Sequence, residues 1–124
     1  MFPEAGVRVY LATGVTDMRK SISGLSILVG NHLAMDPFSG HLFAFCNHRR
    51  SMIKILYWDR NGFCLWQKRL EKERFPWPET MAEVKEIQVR QLRWLLDGLD
   101  LNRTKGYSAQ INSPGYVQIN SPLL

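Results

Sequence analysis

Three kinds of residue in this chain could do chemistry. Asp17, Asp59 and Glu71 would make a metal-dependent nuclease centre if folding brought them together. Cys46 and His48 form a C-x-H pair, half of a zinc site by residue type. No second pair lies near it, and His32, His41 and His48 lack the spacing of a paired-histidine site, so a thiol packed beside a turn histidine accounts for it. The third kind fills Arg49 to Arg74, RRSMIKILYWDRNGFCLWQKRLEKER. Cations recur at Arg49, Arg50, Lys54, Arg60, Lys68, Arg69, Lys72 and Arg74, with Tyr57, Trp58, Phe63 and Trp66 between them. Cations neutralise phosphate and aromatic rings are rigid platforms, so this interleaving points to a nucleic acid. Rings such as Trp58, Trp66 and Trp77 serve more often as core than as stacking surfaces. No glycine-rich phosphate loop or nucleophile elbow occurs, and the residues imply neither a metal nor a cofactor.

Charge supports the third kind. The chain has 124 residues, a net charge of +5 and a pI near 9.5. From Arg19 to Arg74 there are ten Lys/Arg against four Asp/Glu, while from Pro78 to Leu124 the two are equal at five each. An excess of this kind favours an anionic partner. No apolar run approaches the roughly 20 residues that span a bilayer, and no export signal precedes the first strand. Cys46 and Cys64 sit in apolar runs as two free thiols. Together these point to the cytoplasm.

The elements that must position these residues follow from periodicity. RVYLAT, Arg8 to Thr13, alternates as a short strand. Thr16 or Asp17 then caps a helix carrying Met18, Ile22, Leu25, Val29 and Leu33 on one face, with Gly24 and Gly30 weakening it or admitting close packing against a sheet. Arg19 and Lys20 would occupy its first turn, where the macrodipole prefers acids; with free backbone N–H groups they would clamp a phosphate. Asp36-Pro37-Phe38-Ser39-Gly40 is a turn. Apolar runs at His41 to Cys46, Met52 to Trp58 and Phe63 to Leu70 read as a meander. Closing the second hairpin with four residues sets Trp58 opposite Phe63, Leu56 opposite Leu65 and Lys54 opposite Gln67 on one face. On the other, Tyr57 meets Cys64, Ile55 meets Trp66 and Ile53 meets Lys68. Phe75-Pro76-Trp77-Pro78 cannot join a ladder, because its prolines lack donors. Glu79 to Ile87 reads equally as a helical turn or an extended segment. Val89 to Leu96 is a helix with Gly98 as its C-cap. The expectation is an α+β fold: an antiparallel sheet of about four strands with two packed helices, one domain over residues 1–105. Residues 106–124, with QINSP twice, form a peripheral tail.

Several of these segments carry a family resemblance. Thr16-Asp17-Met18-Arg19-Lys20 with Gly24-Leu25, Asp36 to Phe43, and Lys54-Ile55-Leu56-Tyr57-Trp58-Asp59 are similar to motifs of the TnpB accessory proteins of insertion-sequence family sixty-six. So are Gly62 to Leu65, Lys68-Arg69-Leu70-Glu71, Phe75 to Pro78 and Leu95 to Asp100. The likeness spans about residues 5 to 103. It implies a non-catalytic protein, encoded beside the transposase of a bacterial mobile element, that assists transposition.

Three readings follow. In the first, Arg19, Lys20, Arg49, Arg50, Lys54, Lys68 and Arg69 contact phosphates of the element's DNA, positioning without reading sequence. The second is a protein adaptor in which Phe75, Pro76, Trp77 and Pro78 dock the transposase or another element-encoded protein without direct DNA contact. The third is the small nuclease of Asp17, Asp59 and Glu71, for which the chain is short.

Overall fold

Strand β1 (Val9–Val15) buries residues to both sides: Val9 and Leu11 enter one apolar cluster, Tyr10 and Ala12 the other. A strand covered on both faces lies between two packed layers, and β1 is also paired along both of its edges. The computed structural model, which describes residues 6–99, has β1, β2 (Leu42–Cys46), β3 (Met52–Asp59), β4 (Gly62–Arg69) and β5 (Val84–Ile87) in one sheet, ordered β4-β3-β2-β1-β5. The expected tail at 106–124 lies outside the described residues.

The fold is the expected α+β and mostly antiparallel, with five strands among the described residues, close to the expected number of about four. The meander is β2-β3-β4. The β3–β4 hairpin has all six expected cross-strand pairs and one more at each end, Asp59 opposite Gly62 and Met52 opposite Arg69. Its tip bends at Arg60 (φ 56°), with Asn61 N–H donating to the Asp59 carbonyl at 2.6 Å, a γ-turn rather than one centred on Asn61-Gly62.

Two features depart from the meander. β1 pairs with β2 in parallel, because the helix between them returns the chain to the end where β1 began. Residues 84–87 resolve as β5, antiparallel to β1 with Val9 opposite Ile87.

The first helix is shorter than its apolar spacing implies. α1 runs Ile22–Ile27 and continues as a π-helical turn, Leu28–His32, ending at Ala34 with φ 54°. Leu25 and Val29 seal the sheet face formed by Phe43, Phe45 and Leu56. On the other face α2 (Val89–Leu96) sets Leu92, Leu95 and Leu96 against Val9, Leu11, Ile53, Ile55 and Ile87. Gln88 and Gln91 cap α2 reciprocally. At its far end Gly98 (φ 88°) and Leu99 donate back to Leu95 and Trp94, a Schellman close that only glycine adopts without strain. The Asp36–Gly40 turn also forms as read: Asp36 accepts from Phe38 N–H through its side chain and from Ser39 N–H through its carbonyl, with Gly40 at φ 85°.

Candidate nucleic-acid interface

Strand direction decides where the cations gather. β1 ends beside the end of β2, where Thr16 N–H donates to the Cys46 carbonyl at 2.9 Å. The β2–β3 turn closes at that same end, Arg50 N–H donating to the Asn47 carbonyl at 3.2 Å and the Asn47 side chain accepting from Ser51 and Met52 N–H. β4 leaves the sheet there too: Met52 lies opposite Arg69, Leu70 N–H donates to the Ser51 carbonyl at 2.8 Å, and Phe75 N–H to the Arg50 carbonyl at 2.7 Å. Three separate segments thus carry Arg19, Lys20, Arg49, Arg50, Arg69, Lys72 and Arg74 to one end of the sheet. Only Asp17, Glu71 and Glu73 belong to those segments as acids, joined by Glu79 from the connector.

Individual cations differ in how free they are. Arg19 is held by Asp17: its Nε donates to both carboxylate oxygens at 3.0 and 3.1 Å and its terminal nitrogen donates at 2.7 Å. That fork, with the Arg19 backbone N–H, lowers the Asp17 carboxyl to about 2 and raises the guanidinium. Arg69 lies 3.4 Å from Glu71 and Arg50 3.9 Å from Glu79. The Arg69–Glu71 pair is exposed and so weak and exchangeable; the Arg50–Glu79 contact, with Arg50 half-buried, is weak through its length. Lys20, Arg49, Lys72 and Arg74 are exposed and form no ion pair with another described residue.

Several sequence expectations are corrected here. Lys54 is 8% exposed, and its Nζ donates to the carbonyls of Met18 at 2.8 Å and Lys20 at 2.9 Å; it is an internal strut, not a phosphate contact. Lys68 donates to the Leu96 carbonyl at 3.1 Å, where a cation complements the C-terminal end of α2. Arg19 and Lys20 precede the helix instead of opening it. Ser21 is the N-cap, with no side-chain cap bond, and Asp17 is engaged with Arg19. Phe75 and Trp77 are 2% and 5% exposed within the α2-side core, leaving Pro76 and Pro78 half-buried; the rings of this connector are interior and present no docking surface. The nuclease triad does not assemble. Asp59 sits at the hairpin tip and Glu71 beyond the opposite end of β4, separated by a strand of eight residues, roughly 25 Å. Among the described residues no group of three or more His, Cys, Asp or Glu could hold a metal. Cys46 is buried and His48 exposed, so that pair does not converge on an ion.

One feature had no clear sequence signal. Phe38, Trp58 and Phe63 form a triangle with ring centroids 5.0 to 5.2 Å apart at the hairpin-tip end of the sheet, opposite the gathered cations and beside Arg60, which does not join them. Phe38 is 57% exposed. The pairing of Trp58 with Phe63 was legible, but the arrival of Phe38 from the Asp36–Gly40 turn was not.

The profile of the IS66 Orf2-like family matches residues 7–106. This chain belongs to that family. Membership implies an accessory protein associated with transposition, in a family not known for enzymatic activity. Two Sinorhizobium fredii (strain NBRC 101917 / NGR234) proteins resemble this IS66 Orf2-like chain. "Uncharacterized protein y4hO" is 40% identical over 94 residues, 76% of this chain and 82% of the relative. "Uncharacterized protein y4jC" is 34% identical over 103 residues, 83% of this chain and 88% of the relative. No solved structure matches the chain. No helix among the described residues is long and apolar enough to cross a membrane.

Proposed function

We propose that this IS66 Orf2-like protein is a non-catalytic accessory factor that grips the phosphate backbone of the element's DNA with the basic end of its sheet, alongside the transposase. The observation that supports this most is the meeting of three chain segments, each bringing at least two cations, at one end of the molecule. Lys20 and Arg49 lead the contact; Arg19, Arg50 and Arg69 join by exchanging a carboxylate for a phosphate of similar geometry. Lys72 and Arg74 extend the patch. Backbone contacts of this kind hold a duplex without selecting its sequence.

Titration of a labelled duplex of about 20 base pairs between roughly 50 and 200 mM salt tests this reading. With about four phosphates neutralised, log K falls against log salt with a slope near −4. Affinity that ignores salt, or that survives alanine at both Lys20 and Arg49, overturns it.

A second reading has one observation in its favour. The exposed Phe38 edge of the aromatic triangle is an apolar surface of the sort a protein partner covers. In that reading the chain is an adaptor without direct DNA contact. Co-purification with the transposase that survives nuclease treatment and is lost on Phe38→Ala supports the adaptor.

A further inference from the structure

The basic end contains one cation that cannot reach a phosphate. Lys54 lies on the α1-facing side of β3, opposite Phe45 on β2 and Gln67 on β4, and is almost wholly buried. Enclosing an ammonium is unfavourable unless its N–H groups are used, and an apolar side chain would fill the position without that cost. Two of the three N–H groups go to the carbonyls of Met18 and Lys20, and no carboxylate of a described residue lies within ion-pair distance. Those carbonyls flank Arg19.

The same loop is fastened twice more. Asp17 accepts the Arg19 N–H through its side chain at 2.9 Å and the Lys20 N–H through its carbonyl at 3.1 Å. The Lys20 stem rests against Gly24: a Cβ there would come within 3.3 Å of both Lys20 Cβ and Cγ. Gly24 therefore seats Lys20, not the sheet. Three independent contacts fix a short exposed loop whose only charged members are Asp17, Arg19 and Lys20.

We infer that Lys54 is a positioning residue of the DNA interface, drawing the Met18 and Lys20 carbonyls inward so that Arg19 and Lys20 are presented at the basic end. This rests on the DNA-binding reading. It adds that a buried lysine, itself out of reach of DNA, sets the geometry of two that reach it.

The test compares the full-length protein with Lys54→Met, Arg19→Ala/Lys20→Ala and the triple variant. Lys54→Gln serves as a second strut variant in case methionine perturbs folding. Backbone order parameters are the first readout. In Lys54→Met those of Arg19 and Lys20 drop from a rigid value near 0.85 to below about 0.6, while β2 and β3 stay rigid. Duplex titration is the second. Lys54→Met weakens binding and flattens the salt slope by roughly one to two, yet causes no further loss once Arg19 and Lys20 are alanine. An unchanged loop, or an equal fold-loss in both backgrounds, overturns the inference. If the wild-type protein shows no salt-dependent binding, the DNA reading fails, while the order parameters still decide whether Lys54 holds the loop.

Discussion

Trp77 donates its indole N–H to the carbonyl of Ala12 at 3.0 Å, joining the proline-rich connector to the interior strand β1. A bond between groups so far apart in the chain cannot be local, and the ring around it is almost fully enclosed. Trp77→Ala therefore costs about 3–5 kcal/mol of stability, from lost burial plus the cavity. Trp77→Phe costs less, roughly 1–3 kcal/mol, because it keeps most of the packing but strands a buried carbonyl. Urea denaturation distinguishes the two. If neither variant shifts the midpoint, the connector is not part of the core.

Asp17 restrains Arg19 and competes with any phosphate for it. Asp17→Asn should tighten duplex binding severalfold at low salt and change thermal stability little, since the pair is exposed. Because the Asp17 carboxyl is depressed to about 2, the pair persists at all ordinary pH and is lost only as pH falls through that value. The gain from Asp17→Asn should accordingly be the same at about pH 5 and about pH 8. The asparagine amide oxygen can still accept the Arg19 N–H, so the loop keeps this brace; weaker binding by the variant would refute the competition.

Asp97 closes α2 with one carboxylate oxygen that is buried and finds no hydrogen-bond donor. Burial pushes its carboxyl up, opposed by the Lys68 ammonium. A raised value means that the folded state keeps this proton to higher pH than the unfolded chain. The penalty of the charged form is therefore absent at low pH and complete once pH has risen past the folded value. Asp97→Asn should match wild type near about pH 3 and melt higher than it near about pH 7. Calorimetry at both pH values checks this; an unchanged or lower midpoint at neutral pH refutes it.

Burial also raises the Cys46 thiol to about 11, with Arg50 opposing weakly. At pH 8 only about one molecule in a thousand carries the reactive thiolate there. Cys64 lies half-buried on the sheet's edge strand. Iodoacetamide followed by mass spectrometry should label Cys64 in the native protein and Cys46 only after unfolding. Equal labelling of the two would mean that β2 opens readily.

Much of the fold was legible in residue order. The β3–β4 register follows from apolar partners that match on both faces around a short polar tip, and α2 from its spacing and the glycine behind it. β5 was ambiguous because Val-Lys-Glu-Ile is too brief to carry a period; only its partner β1 makes it a strand. The parallel placement of β1 beside β2 is likewise a property of the crossover and not of either strand's sequence. Helix α1 begins at Ile22, after Ser21, and Asp17 pairs with Arg19 instead of capping, an engagement between side chains that spacing does not reveal. The candidate site divides the same way. Charge counting found the cations, whereas separating exposed Lys20 and Arg49 from the buried strut Lys54 needed coordinates, since the residue pattern implied cover on both faces only near the hairpin turn and left the Lys54 end polar.

The position of β1 also has a consequence during synthesis. One of its neighbours, β2, leaves the ribosome early, but the other, β5, is the last strand made among the described residues. Until Val84–Ile87 emerges, β1 presents an open rank of amides and carbonyls flanked by apolar side chains. Fragments cut short before that point should associate with one another, and co-translational collapse of the meander should precede completion of the sheet.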